Sequence, residues 1–410
     1  MKSAEAVASP LQRLPWWLKA ALIGGILLVL FIGLAALPLP IPPYLDFQVL
    51  YQTDMALLHG ISPYDHAGQV NLIAQLAGVA PERVYSLPFP YPPWYALGTL
   101  WLAWLPIEAA ARIWFGISLV LVLASVWLLT DGWAAPRRLL AVGLAVFFLP
   151  VLGSLLVGQY VFPVLLGAAL MVYALRRQNA ALVAVAAGLL TFKPHIGGPV
   201  IIVVLVYLWL RGDAFGRRAT AYIVLVGLAL FIVGFIADRT WPMSYLRSLL
   251  AYRQDMGVAT CGLCASLPAI LAGLLPAGGG LGIAVWIGAL ILLALLGLWV
   301  LRGRDLLRTP VALVVGCILV VLLASPYLLN YDFVLLLVPL ILLAGGQPPR
   351  VGWILLASVY VLPFVILGAL GRQGNFIFPI CAAILMFLLF QRGCPLDVSS
   401  PAAYNHSTIE

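Results

Sequence analysis

Six polar residues stand at the ends of long apolar runs or in the loops between them: Asp46, Gln159, Lys193, His195, Arg253 and Asp332. A carboxylate fixed near a cation can take a proton from an attacking hydroxyl while the cation steadies charge developing on a departing anion. Asp46 is the sharpest of the six. It follows Pro42-Pro43-Tyr44-Leu45 directly after the first apolar run, so a short tether to a helix end fixes it. The same place suits an N-cap for a helix starting at Phe47, and the two roles are compatible. Lys193 sits where an apolar run ends at Pro194. A lysine there either snorkels to the membrane edge or offers a point charge to a phosphate; His195 adds a donor two residues on. Arg253, in Tyr252-Arg253-Gln254-Asp255, reads equally as an ordinary loop charge. Asp332 opens the apolar run Phe333 to Ala344, where a carboxylate needs a partner, although a plain helix start is the other reading. Asp54 reads as the solvated face of the helix after Asp46, and Asp65 as turn chemistry. His59 and His66 lack a spaced third ligand, so no metal site is expected and no cofactor is implied.

The elements that must position these residues follow from composition. Hydrophobic residues make up 64% of the 410 and charged residues 9%, with a mean hydropathy of +1.10. Soluble domains sit at about 45–50% apolar and about 25% charged. A soluble enzyme, a disordered chain and a disulfide scaffold are excluded. Continuous apolar runs, not alternating ten-residue segments, exclude a β-barrel. What remains is an all-α, polytopic transmembrane helical bundle. Apolar runs near 17–37, 91–105, 110–130, 138–157, 160–175, 180–192, 197–210, 219–237, 281–301, 310–324, 331–345, 351–370 and 375–391 predict about twelve spans. One membrane domain covers 1–392. Its first extracytoplasmic loop, 38–90, carries short amphipathic helices near 47–59 and 69–79, the first stopped by Gly60. A second large loop covers 238–276, and a cytoplasmic tail 393–410.

Lys and Arg number 22 against 14 Asp and Glu, a net charge of +8. The basic residues lie in short loops, so they set orientation; no basic, aromatic-interleaved groove for nucleic acid can be assembled. Arg137-Arg138, Arg176-Arg177, Arg211 with Arg217-Arg218, Arg302 to Arg308 and Arg350 read as cytoplasmic. Gly158-Gln159, Lys193-Pro194-His195, the 238–263 loop and Ser325 to Asp332 then fall outside, and both termini inside. One conflict remains: two crossings between 91 and 130 would put Arg137-Arg138 on the wrong side, unless 91–105 is re-entrant. Of the five cysteines, Cys317 and Cys381 read as packing residues and Cys394 follows the last run; Cys261 and Cys264 form a lone CxxC, better suited to a local disulfide than to zinc. No Walker A, GxGxxG, HExxH or GxSxG motif is present.

An ordered set of segments carries a family resemblance. Asp46-Phe47 through Gly60-Ile61-Ser62-Pro63-Tyr64, then Tyr91-Pro92-Pro93, resembles the first external loop of the polyprenyl-phosphate-mannose-dependent mannosyltransferase-like family, among the GT-C integral membrane glycosyltransferases. Gly158-Gln159, Ala187-Gly188 through Lys193-Pro194, and Ser325-Pro326-Tyr327 to Tyr331-Asp332 are similar to later segments of that family. The resemblance spans about residues 40–345 and implies a polyprenyl-phosphate sugar donor, a lipid or glycan acceptor and inverting transfer outside the cytoplasm, in the plasma membrane. Asp46 inherits the general base; Lys193 matches a segment facing the donor phosphate, with Gln159, His195, Arg253 and Asp332 as further substrate-binding candidates. Some relatives carry a Trp and a His after the Ser-Pro pair, where this chain has Asn330, Tyr331 and Asp332. The rival reading is a transporter or flippase of lipid-linked sugars, which should carry charges inside its spans.

Overall fold

A computed structural model describes residues 45–255, 264–275, 281–302 and 309–391, with backbone only at 45, 251–255, 281 and 300–302. The expected first span at 17–37, Cys261, and the tail 393–410 with Cys394 lie outside the described residues. Among those described the chain is helical, apart from turns and an isolated bridge between Cys264 and Leu329.

Helices α1 (Leu45–Leu58) and α2 (His66–Ala77) lie in the first loop, close to where the sequence predicts them. Gly60 ends the first at φ 75°, a left-handed conformation that costs glycine little. Asp65 caps the second by accepting the Gly68 N–H at 3.0 Å. Helix α3 (Pro93–Thr99) has seven residues and runs into a 3-10 turn, Leu100–Trp104. A helix that short reaches about 10 Å, a third of the hydrocarbon thickness. Residues 91–105 therefore do not cross as a helix. They pack on α1 in an aromatic cluster of Phe47, Tyr91, Tyr95, Trp114 and Tyr160. A single long helix, α4 (Ile107–Leu129), separates Arg137-Arg138 from the first loop.

Helices α5 (Ala135–Phe147) and α6 (Leu149–Val157) form one bent pair, turned by 56°. Pro150 in the first turn of α6 lacks the N–H that would continue the ladder. Helices α7 (Phe162–Arg176), α8 (Ala180–Leu190), α9 (Pro194–Arg211) and α10 (Ala214–Ala237) follow in succession. Helices α11 (Trp241–Asp255) and α12 (Leu267–Gly273) belong to the second loop. Then come α13 (Leu281–Arg302), α14 (Pro310–Ala324), a 3-10 segment Asn330–Leu336 leading into α15 (Leu337–Gly345), and the pair α16 (Arg350–Leu370) and α17 (Ile377–Gln391). Cys381 Sγ lies 3.7 Å from the Val359 carbonyl oxygen, so α16 and α17 fold back as a hairpin. Gly371, at φ 56°, lies where the chain turns.

Among the described residues five stretches are long and apolar enough to cross a membrane: Ile107–Leu129, Pro194–Arg211, Ala214–Ala237, Gly282–Trp299 and Arg350–Gln391, with α5–α6 a sixth if the bent pair is one span. Helix length thus supports a multi-pass membrane protein but does not reach the expected twelve. One expected span, 17–37, lies outside the described residues, and Phe162–Arg176, Ala180–Leu190, Pro310–Ala324 and Asn330–Gly345 are apolar but shorter. Helices α7 and α14 form the centre, with most side chains buried. At Gly316 a Cβ would overlap the Trp299 ring, so α13 and α14 meet closely only because that residue is bare.

The bundle has two chemically distinct ends. At one, Arg137 Nη2 donates to the Ala344 carbonyl at 2.7 Å, Arg177 pairs with Asp131, and Arg211 pairs with Asp213. At the other, loops distant in sequence are tied together. Tyr51 reaches the Leu105 carbonyl, Trp94 Nε1 donates to Thr191 Oγ1, Ser62 donates to Asp238, and Ala265 N–H donates to the Leu328 carbonyl.

Candidate active site

Asp46 lies in the first turn of α1, one residue inside a helix that begins at Leu45, so it is not the cap of a helix starting at Phe47. Its Oδ2 accepts a hydrogen bond from Gln159 Nε2 at 2.9 Å. The turn after α6 sets that glutamine. Gly158 closes the helix at φ 69°, Trp114 Nε1 holds the Gly158 carbonyl at 3.1 Å, and Gln159 Oε1 accepts the Tyr160 N–H at 2.7 Å. Tyr160 Oη in turn accepts the Leu50 N–H at 3.0 Å, clamping α1 to the same turn. Burial pushes the Asp46 carboxyl up to about 6; the nearby Lys193 charge and the Gln159 hydrogen bond pull it back, and Asp332 adds to the rise.

Lys193 occupies the tight turn between α8 and α9. A Cβ on Gly197 would overlap the Leu190 carbonyl, so the bare residue lets α9 fold back closely enough to place Lys193 inward. Its Nζ donates to Asp332 Oδ1 at 2.7 Å, and both side chains are only 2% exposed. The Tyr331 ring centre lies 4.7 Å from the ammonium and that of Tyr91 6.0 Å, near enough for cation–π attraction. Asp332 Oδ2 accepts the Leu329 N–H at 2.9 Å. The partner that the sequence demanded for Asp332 is thus Lys193, and this lysine does not snorkel. His195 is exposed and lies within electrostatic reach of Lys193 and Asp332.

The structure brings Asp46, Gln159, Lys193, His195 and Asp332 to one end of the bundle. Arg253 falls in the last turn of α11, and its side chain lies outside the described residues. Asp54 departs from expectation: it is fully buried, because the α1 face carrying Leu50 and Asp54 packs on α3 and its 3-10 turn rather than facing water. Neither of its oxygens has a hydrogen-bond partner. Burial raises its pKa well above the usual carboxylate value, and the neighbouring Thr99 hydroxyl opposes this only weakly, since it donates to the Tyr95 and Ala96 carbonyls. Sequence reasoning did not single out Tyr91 and Tyr331 as the rings around Lys193; their one signal was membership of the motifs flanking Pro92 and Asp332. Among the described residues no three His, Cys, Asp or Glu side chains cluster to hold a metal. Cys264 is disulfide-bonded, with its partner outside the described residues, and Cys317 and Cys381 are free and buried.

A family model described as glycosyltransferase family 87 matches residues 89–326, more than half of the chain. The chain belongs to glycosyltransferase family 87. It is therefore a membrane glycosyltransferase of GT-C-like type. The family 87 match contains Tyr91, Gln159, Lys193 and His195; Asp46 lies before it and Asp332 just after it. No curated protein and no solved structure matches the chain.

Proposed function

We propose that this family 87 member moves a hexose, mannose in the first instance, from a polyprenyl-phosphate donor to a hydroxyl of a lipid or glycan acceptor, with inversion, on the extracytoplasmic face of the plasma membrane. The observation that carries the reading is Asp46: a carboxylate held by Gln159, within electrostatic reach of a buried lysine, at the end of the bundle away from the arginine pairs. The resemblance of the Asp46, Gly158-Gln159, Lys193-Pro194 and Ser325-to-Asp332 segments to polyprenyl-phosphate-dependent mannosyltransferases supports the donor class. The disulfide at Cys264, at the same end, supports an oxidising compartment there. The arginine-bearing opposite end supports a cytoplasmic face with cytoplasmic termini.

The donor's isoprenoid tail lies among the helices and its headgroup at the end of the bundle where Asp46 and Lys193 gather. Asp46 removes the proton as the acceptor oxygen bonds to the anomeric carbon. The bond from that carbon to the phosphate oxygen breaks on the opposite face, and its electron pair leaves with the phosphate, inverting the configuration. Charge moves without changing in sum: Asp46 goes from anion to neutral acid, while a singly charged phosphodiester becomes a doubly charged monoester. A cation on the phosphate side lowers the barrier to that movement in a poorly hydrated site. Lys193 takes this role, with His195 and Arg253 as further donors to the phosphate; Gln159 orients Asp46, and Asp332 holds Lys193. A pKa near 6 keeps Asp46 ionised at neutral pH and makes it a stronger base than an ordinary aspartate.

The deciding experiment is incubation of the purified full-length chain with radiolabelled polyprenyl-phosphate sugars and a membrane lipid extract. Transfer from a polyprenyl-phosphate hexose, absent in Asp46→Asn, is expected. Transfer from nucleotide sugars alone would overturn the donor assignment.

A further inference from the structure

The ammonium of Lys193 is already occupied. It donates to Asp332 at 2.7 Å between the rings of Tyr331 and Tyr91, and neither charged side chain meets solvent. A phosphate reaching this cation must compete with the carboxylate that already holds it. Resting on the donor class proposed above, we infer that Asp332 is a built-in stand-in for the donor phosphate, displaced from Lys193 when the donor binds and returning to it as polyprenyl phosphate leaves.

Three features of the site fit an exchange of anions: a shared cation, a 3-10 backbone and a second anchor for the carboxylate. The carboxylate and the phosphate seek the same partner, a compact ammonium whose three donors rotate freely on a flexible stem. Asp332 sits in a 3-10 segment, Asn330–Leu336, where the hydrogen bonding is looser than in an α-helix and such stretches often mark hinges. Its second oxygen keeps the Leu329 N–H, so the group can turn from the lysine without losing its anchor.

The pairing also gives the empty site a purpose. An unpaired ammonium at this depth would be costly to keep charged, so Asp332 preserves the cation between turnovers. After transfer, the leaving monoester carries two negative charges and would cling to Lys193; a carboxylate waiting beside it competes for the same donors and speeds release. Asp332 is thus a positioning residue that trades affinity for turnover.

The test compares donor KM, kcat and inhibition by added polyprenyl phosphate in the wild-type chain, Asp332→Asn and Asp332→Glu. Expected for Asp332→Asn is product inhibition at least about tenfold tighter, with donor KM and kcat both reduced; Asp332→Glu, which keeps the competing charge, restores wild-type inhibition. Unchanged or weaker inhibition in Asp332→Asn overturns the exchange. Should that variant fail to fold, infrared difference spectra of Asp46→Asn with labelled aspartate decide the matter on an intact pair. Addition of polyprenyl phosphate must then shift a carboxylate band, and a silent spectrum overturns the inference. A wild-type chain that uses no polyprenyl-phosphate donor at all defeats the proposed function instead, and is told apart by the transfer assay alone.

Discussion

Gln159 Nε2 and Asp46 Oδ2 meet at 2.9 Å across 113 positions of sequence, joining the start of α1 to the turn after α6. This bond both aims the carboxylate and favours its charged form. If Asp46 is the base, Asp46→Asn lowers turnover by about 10²–10⁴-fold, the usual worth of a general base. Because the amide keeps the Gln159 contact, the thermal midpoint in detergent stays close to wild type. Near-normal transfer by this variant removes Asp46 from the mechanism.

The pH profile follows from the same carboxyl. With its pKa raised to about 6, Asp46 is protonated and inactive below that value and ionised above it. The rate should therefore climb with pH through an acid limb centred near 6. Replacing Gln159 with Leu removes a hydrogen bond that stabilises the anion, so the limb moves to higher pH. A limb that stays in place in Gln159→Leu would show that some other group controls the rate.

Lys193 and Asp332 should be far more sensitive singly than together. Lys193→Met leaves a buried carboxylate without its cation and should cost about 3–5 kcal/mol. Lys193→Met combined with Asp332→Leu removes both charges and should recover most of that loss while transferring no sugar. Thermal unfolding in detergent, read beside the transfer assay, separates the two effects; a double variant as unstable as the single one contradicts the pairing.

Much of this site is legible in the sequence because chain breaks give it away. Pro194 fixes where Lys193 falls, Gly158 where Gln159 turns, and Gly60 where α1 stops. The demand of Asp332 for a partner is equally legible, since an anion opening an apolar run cannot stay alone. The identity of that partner is not, because Lys193 lies 139 positions away and only the packing of α9 on α14 brings the two loops together. Asp54 misleads for a related reason: a helix in a polar loop reads as half-solvated until α3 and its 3-10 turn are known to lie against it. Helix length among the described residues bears out only part of the span count, since apolarity marks a buried run without giving its length or tilt.

Asp54 yields a stability prediction with a definite sign. Its folded pKa stands above its unfolded value, so the native state holds the proton more tightly. Stability is full below the ordinary carboxylate range and declines as pH rises through the raised folded value. Asp54→Asn should flatten that decline and stabilise the chain at neutral pH by about 1 kcal/mol or more. Thermal midpoints of the two proteins across pH check it; parallel curves would show that Asp54 ionises as easily folded as unfolded.

Gly197 permits a further test. A methyl group there collides with the Leu190 carbonyl, so Gly197→Ala should cost about 1–3 kcal/mol and reduce transfer in protein that still folds. Full activity and an unchanged melting temperature would mean that the turn has room to spare.

The sequence holds only three lysines, at positions 2, 19 and 193, and otherwise relies on arginine for positive charge. The niche between two phenol rings explains the exception. A guanidinium is a flat fork with five donors to satisfy, and this slot has one carboxylate edge to offer it. The exchange of one positive residue for the other, harmless along the arginine-bearing end, would here leave donors stranded in a dry crevice.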